Sequence, residues 1–190
     1  MTPAEPIYDP RLGQWTFDTS TLRNLDDGHL LGALPVNFRG RAHLVREVVQ
    51  ELSAVSPVFG MPWFETHDLT LPAHFELFRN LRRKWSSEPG KDRGEAAAIT
   101  LAAAYGWRIA CDDGTGYRTA ANPPANLCVV RTTRLVIGMV RAGWLTPVEG
   151  WEGIEETAKA GNRLGSLPWA DRDKYEELCA EPSFDSCTPR

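Results

Sequence analysis

The chain has 190 residues, of which 42% are hydrophobic and 24% charged, and its formal net charge is −4. That length suffices for one domain with a sizeable core, and the negative balance supplies no global attraction for nucleic acid or an anionic membrane. With no apolar run of about 18 residues a transmembrane helix is not expected, and the start "MTPAEPIYDPRLGQ" lacks the basic and apolar regions of a secretory signal, so the expectation is a cytoplasmic protein.

In chain order, residues 1–14 read as an amino-terminal extension. "QWTF" predicts a short strand ending at Asp18, and "TSTLRNL" starts like a helix. "AHLV" predicts a second strand running into "REVVQELSAV", where Val48, Leu52 and Val55 recur at helical spacing. "MPWFETHDL" reads as a third strand. "PAHFELFRNLRRKW" follows as a helix with Pro72 at its start and Phe75, Phe78 and Leu81 as its apolar stripe. After the polar loop "SSEPGKDR", "GEAAAITLAAAYG" is an alanine-rich helix closed by Gly106. "WRIAC" and "LCVV" are strand-like on either side of "NPP", and "TTRLVIGMVRAG" predicts a helix stopping at Gly143. Strands alternating with helices of about 10–15 residues imply an α/β domain over 15–145 with a mainly parallel sheet. "PVEGWEGIEETAKAG" and "DRDKYEEL" make 146–190 a helical extension of the same domain. Cys111, Cys128, Cys179 and Cys187 form no CxxC pair and read as reduced thiols. His29, His43, His67 and His74 share no repeated spacing, which argues against a histidine zinc site.

Four acidic positions fall in related places. Asp18 closes the first strand, Glu51 sits in the next strong helix, and Glu95 opens the alanine-rich helix. Asp112 and Asp113 close the strand after it. In an open α/β sheet the carboxyl ends of the strands form one rim, so acids distant in sequence converge there. Clustered carboxylates are costly unless something positive is held, and hard cations prefer oxygen ligands. Each acid also has a plainer reading. Asp18 before "TST" is a competent N-cap, "DRGE" has capping-box spacing between Asp92 and Glu95, and "DDG" is a competent turn. Glu51, between Val48 and Val55, is drawn towards the packed face and is harder to dismiss.

"WTFDTSTLRNL", "VVQELSAV", "DRGEAAAITLAAAYG" and "IACDDGTGYRTA", in this order, resemble the PIN-domain family of nucleases, in the branch with a Gly-Glu pair opening the central helix and an Asp-Asp pair after the next strand. The resemblance covers residues 15–145 and, more weakly, the tail to about 178. It implies a three-layer α/β/α fold and a Mg²⁺- or Mn²⁺-dependent endoribonuclease, often the toxin of a VapC-like toxin–antitoxin pair. The implied partners are an RNA substrate, a cognate antitoxin protein and a second copy in a homodimer. Carried over residue by residue, Asp18, Glu51, Glu95 and Asp113 are the metal-binding acids. Asp112 is a close auxiliary or exchanges roles with Asp113. Ser20 orients Asp18 or a bound water, and Arg118 meets a phosphate. Glu47, one turn from Glu51 on the same helix face, leaves the assignment within that helix open.

Arg82, Arg83, Lys84 and Arg93 cluster before Glu95, with Arg131 and Arg134 after the later strand. They read either as a solvated helix face or as a track for an RNA backbone. A phospho-aspartate enzyme would need a second aspartate two residues after Asp18, where Ser20 stands. The remaining rival is a catalytically silent PIN-like module that binds protein or RNA.

Overall fold

The computed structural model describes residues 5–52, 63–85, 92–161, 164 and 171–187, with Lys84 and Trp85 described by their backbone only. Val55, residues 61–62 of the third predicted strand and the loop residues 86–91 lie outside the described residues. Five strands form one sheet: β1 (Trp15–Phe17), β2 (Ala42–Val45), β3 (Phe64–His67), β4 (Arg108–Ala110) and β5 (Val129–Val130). Their order is β3-β2-β1-β4-β5 and every pairing is parallel. The short apolar runs that predicted β1, β2, β4 and β5 are buried along their whole lengths, as parallel strands covered on both faces must be. Edge strand β3 is half-exposed.

Nine helices accompany the sheet among the described residues: α1 (Thr19–Asp27), α2 (Leu34–Asn37), α3 (Arg46–Leu52), α4 (Pro72–Trp85), α5 (Arg93–Tyr105), α6 (Gly114–Ala121), α7 (Thr132–Arg141), α8 (Pro147–Lys159) and α9 (Arg172–Ala180). The alanine-rich α5 lies across β1, β2 and β4, with α3, α4 and α6 against it. Ala96, Ala97, Ala98 and Ala102 are fully buried, and their small side chains let the helix sit close to the sheet. A second group, α1, α7, α8 and α9, packs together. The result is an α/β fold with an all-parallel sheet flanked by helices. An aromatic cluster of Trp15, Phe17, Phe38, Trp63 and Trp144 fills the core beside β1.

Three expectations are corrected: part of the stripe of α4, the turn at "DDG" and the state of two cysteines. The stripe of α4 holds at buried Leu81 and half-buried Phe78, but Phe75 is 48% exposed and His74 is buried beside it. "DDG" is not a free-standing turn, because Asp113 is the N-cap of α6, an element absent from the sequence reading. Four reduced thiols were expected, yet Cys128 and Cys187 are paired in a disulfide with Cα atoms 6.0 Å apart, inside the usual range. Cys111 and Cys179 are free. The segment before β1 is packed against the domain: Ile7 is buried, its carbonyl accepts from the Asp185 N–H, and Asp9 O accepts from Arg108. The tail is equally integrated, with Trp151, Ile154 and Tyr175 in the core. Among the described residues no helix is long and apolar enough to cross a membrane.

Candidate functional site

The sheet order reverses direction between β1 and β4, and crevices at such a switch point are where open α/β sheets bind ligands. Asp18 follows β1 and its N–H donates to Ala110 O, the last residue of β4, at 3.0 Å. The ends of these two strands are thereby held side by side. A cleft of about 340 Å³ opens there, lined by Asp18, Thr19, Ser20, Arg23, Asn24, Glu51, Asp92, Gly94, Glu95 and Asp113. Four carboxylates that the PIN resemblance implies as metal-binding, Asp18, Glu51, Glu95 and Asp113, thus share one cavity although they come from four separate segments.

Asp18 is 1% exposed and serves two purposes. Its Oδ1 accepts from the Thr21 N–H at 2.7 Å, capping α1, while Oδ2 accepts from Ser20 Oγ at 2.6 Å. The cap and the cleft-lining carboxylate are therefore one side chain. Burial pushes its carboxyl above the ordinary range, against the opposing hydrogen bonds from Ser20 and Thr21. Glu51 accepts from the Gly94 N–H at 3.1 Å and from the Thr19 hydroxyl. A Cβ at Gly94 would lie 2.7 Å from Glu51 Oε2 and 2.8 Å from Thr19 Oγ1, so the glycine of "GE" makes room for the acid of α3. Gly116 does the same for Glu95, whose Oε1 occupies the space a Cβ would need.

Glu95 faces several of these carboxylates. Burial, then Asp18 and Asp113, push it up to about 8, with a smaller contribution from Asp92, while the Cys111 thiol donates to Oε1 at 3.6 Å. One ligand atom each from Asp18, Glu95 and Cys111 lies within 4.8 Å of the others. The same burial and negative charge drive the Cys111 thiol well above its usual value, so it remains protonated.

The paired aspartates divide their labour. Asp113 is exposed, lines the cleft, and accepts through Oδ1 from the N–H groups of Thr115 and Gly116. Asp112 is buried and turns away from it, accepting from Asn24 Nδ2 at 2.6 Å, from the Thr132 N–H at 2.9 Å and from the Thr132 hydroxyl. Burial, then Asp18, push Asp112 up to about 6. It ties the end of β4 to α1 and α7.

The other predicted residues are dispersed. Glu47 faces Arg93, with Oε1 3.4 Å from Nη2, and does not line the cleft. Arg118 is exposed and folds back along α6, its Nη1 3.7 Å from where a Gly114 Cβ would be, beside Asp113. Arg82 and Arg83 border a separate hollow of about 700 Å³ on α4 with Glu76, Phe78, Arg79 and Asn80. The Lys84 side chain lies outside the described residues. Arg131 and Arg134 do not form the expected track. Arg131 pairs with Glu5 at 2.9 Å, donates to Asp112 O and lies over the Tyr117 ring, and Arg134 is 8% exposed.

Arg23, Asn24, Thr19 and Asp92 line the cleft without having been singled out. Thr19 and Arg23 lie one turn apart in "DTSTLRN", and that helical spacing was a usable signal. Asp92 looked like a cap, but it has φ 55° and makes no side-chain capping bond. Compared with known proteins, the chain matches no family model, no curated protein and no solved structure.

Proposed function

We propose that this chain is a PIN-like, Mg²⁺- or Mn²⁺-dependent endoribonuclease with its active site in the acidic cleft. The observation that carries the reading is the convergence of Asp18, Glu51, Glu95 and Asp113 on one cavity at the switch point of the sheet. The donor set fits a hard divalent cation, because its ionisable ligands are carboxylate oxygens and the only nearby thiol is held protonated. Burial, then the neighbouring carboxylates, raise Glu95 to about 8, and a bound cation would offset that cost of ionising it.

Such a cation supplies a water made acidic enough to attack at neutral pH and offsets charge on the phosphodiester. The protein's part is positioning. Ser20 fixes Asp18, and the Thr19 hydroxyl with the Gly94 N–H fixes Glu51. Arg23, exposed on the cleft wall, offers a guanidinium to a phosphate oxygen, and Arg118 offers a second beside Asp113.

The test is cleavage of single-stranded RNA by purified protein. Mn²⁺ or Mg²⁺ should support it, EDTA should stop it, and the products should carry 5′-phosphates. Cleavage that survives excess chelator, or that leaves 2′,3′-cyclic phosphate, overturns the mechanism, because the latter signals attack by the RNA's own 2′-hydroxyl. RNA binding without cleavage or cation uptake would identify a silent binding module instead.

A further inference from the structure

Outside the cleft, the described residues hold a second group with metal-ligating chemistry: His43, Glu65 and His67. In the β2–β3 register His43 faces Glu65 and Val45 faces His67, so strand alternation brings the three side chains to one face. His43 Nδ1 is 3.0 Å from His67 Nε2 and 3.7 Å from Glu65 Oε2, and His67 Nε2 is 3.8 Å from the same oxygen. A tetrahedral zinc ion with bonds of about 2.0–2.1 Å sets its ligand atoms about 3.3 Å apart, so this triangle needs only sub-ångström adjustment to close on one ion.

The surroundings are those of a ligand held in place. His43 Nε2 lies 2.8 Å from Gln14 Oε1. An amide oxygen only accepts, so Nε2 carries the proton and Nδ1 presents its lone pair to Glu65 and His67. Metal-bound histidines commonly donate their second ring N–H to an oxygen in this way. The His43 ring stacks on Trp107 at 3.9 Å and 18°, and Trp107 stacks in turn on Tyr105 at 4.6 Å, which locks the imidazole plane. The side chain of His43 is 9% exposed, against 24% for His67 and 68% for Glu65, so the group has a fixed inner ligand and an open outer side. Burial, then His67, also hold the His43 imidazole neutral, the form that ligates.

We propose that His43, Glu65 and His67 form a second cation site, taking Zn²⁺ or a similar borderline divalent ion, that clamps edge strand β3 to β2. Two imidazoles and one carboxylate suit such an ion, with a water in the fourth position. The site is distinct from the acidic cleft. His43 touches residues that precede β1 and β4 (Gln14 and Trp107), whereas the cleft is built from residues that follow those strands (Asp18 and Asp113).

The experiment is calorimetric titration of the chelator-stripped full chain with Zn²⁺, repeated on His67→Gln, Glu65→Gln, Gln14→Ala and Asp18→Asn. One equivalent of Zn²⁺ should bind in a way that Asp18→Asn leaves intact and His67→Gln and Glu65→Gln remove. Gln14→Ala should weaken it by about tenfold, because it loosens a ligand without deleting one. Co²⁺ should give the intense visible absorption of four-coordinate geometry in the wild type and lose it in His67→Gln. Both ligand variants change partly exposed side chains, and circular dichroism checks their folding. Absence of Zn²⁺ uptake, or uptake equal in the wild type, His67→Gln and Glu65→Gln, overturns the proposal and leaves a His–His–Gln hydrogen-bond relay.

Discussion

Glu51 and Glu47 are one helical turn apart, and their surroundings separate them. Glu51 points into the cleft and is held by a backbone N–H and a hydroxyl, whereas Glu47 is spent on Arg93. Under the nuclease reading, Glu51→Gln should abolish RNA cleavage while Glu47→Gln keeps most of it. Equal losses in kcat would show that both act in the site. Asp112 makes the opposite case, of an acid whose work is structural. Its three donors leave no place for the amide NH₂ of an asparagine, so Asp112→Asn should cost about 1–3 kcal/mol, measured by urea unfolding. That one member of the pair "DD" lines the cleft and the other braces the fold was not legible in the sequence. Adjacent residues at a strand end point in opposite directions, and only the neighbours of each tell which way faces the cleft.

At the level of elements, helix starts and cleft-lining acids coincide. Asp113 caps α6 and lines the cleft with the same carboxylate. Asparagine caps about as well as aspartate, so Asp113→Asn should leave stability near the wild-type value while weakening Mn²⁺ binding. Asp113→Ala should lose both the ligand and about 1 kcal/mol, seen as a lower Tm in chelator. Gly116→Ala addresses the neighbouring turn of α6. Its methyl group would collide with the Glu95 carboxylate, so the variant should fold but lose Mn²⁺-dependent cleavage through a displaced Glu95. A variant with full activity would show that Glu95 is free to move aside. Long segments such as α5 and α7 were legible because helix formers and apolar residues run through them and a glycine, Gly106 or Gly143, follows each at positive φ. Short α6 was not, since "GTGYRTAA" has weak helix propensity and depends on the Asp113 cap and on packing beneath α5. The start of α8 at Pro147 was read from "PVEGWEG", and the structure adds a complete capping box between Thr146 and Glu149.

For the molecule as a whole, the cleft makes stability depend on pH. Glu95 is raised from 4.5 to about 8, facing Asp18 from the end of β1, Asp113 from the turn after β4, Asp92 from its own helix start and the Cys111 thiol. A folded value above the unfolded one means that the folded state binds the extra proton. The stability from this group is therefore fully present below about 4.5 and is lost as pH rises through about 8. In EDTA, the Tm should fall between pH 5 and pH 8 by more in the wild type than in Glu95→Gln. Mn²⁺ at one hundred times its dissociation constant should restore about 2.7 kcal/mol, with most effect at the alkaline end, where the carboxylates are unprotonated. A Tm indifferent to Mn²⁺ across that range would remove the cation from the cleft.

The alternation of short apolar runs with amphipathic segments determined an α/β chain with a parallel sheet, because periodicities of two and of 3.6 residues are local properties that survive without a structure. It also placed Asp18, Glu95 and the pair Asp112–Asp113 where a strand or helix begins or ends and Glu51 on the packed face of its helix, whereas the preference for Asp113 within the pair came from the resemblance to PIN nucleases. What only the tertiary structure decided is convergence. The order β3-β2-β1-β4-β5 puts the carboxyl ends of β1 and β4 side by side and gathers four acids separated by up to 95 positions into one cleft. The same long-range pairing buried Arg134, joined Cys128 to Cys187, and set His43 against His67 across neighbouring strands, although 24 residues separate them in the chain. Local spacing carries no record of such contacts, because strand register and helix packing, not sequence distance, set which side chains meet.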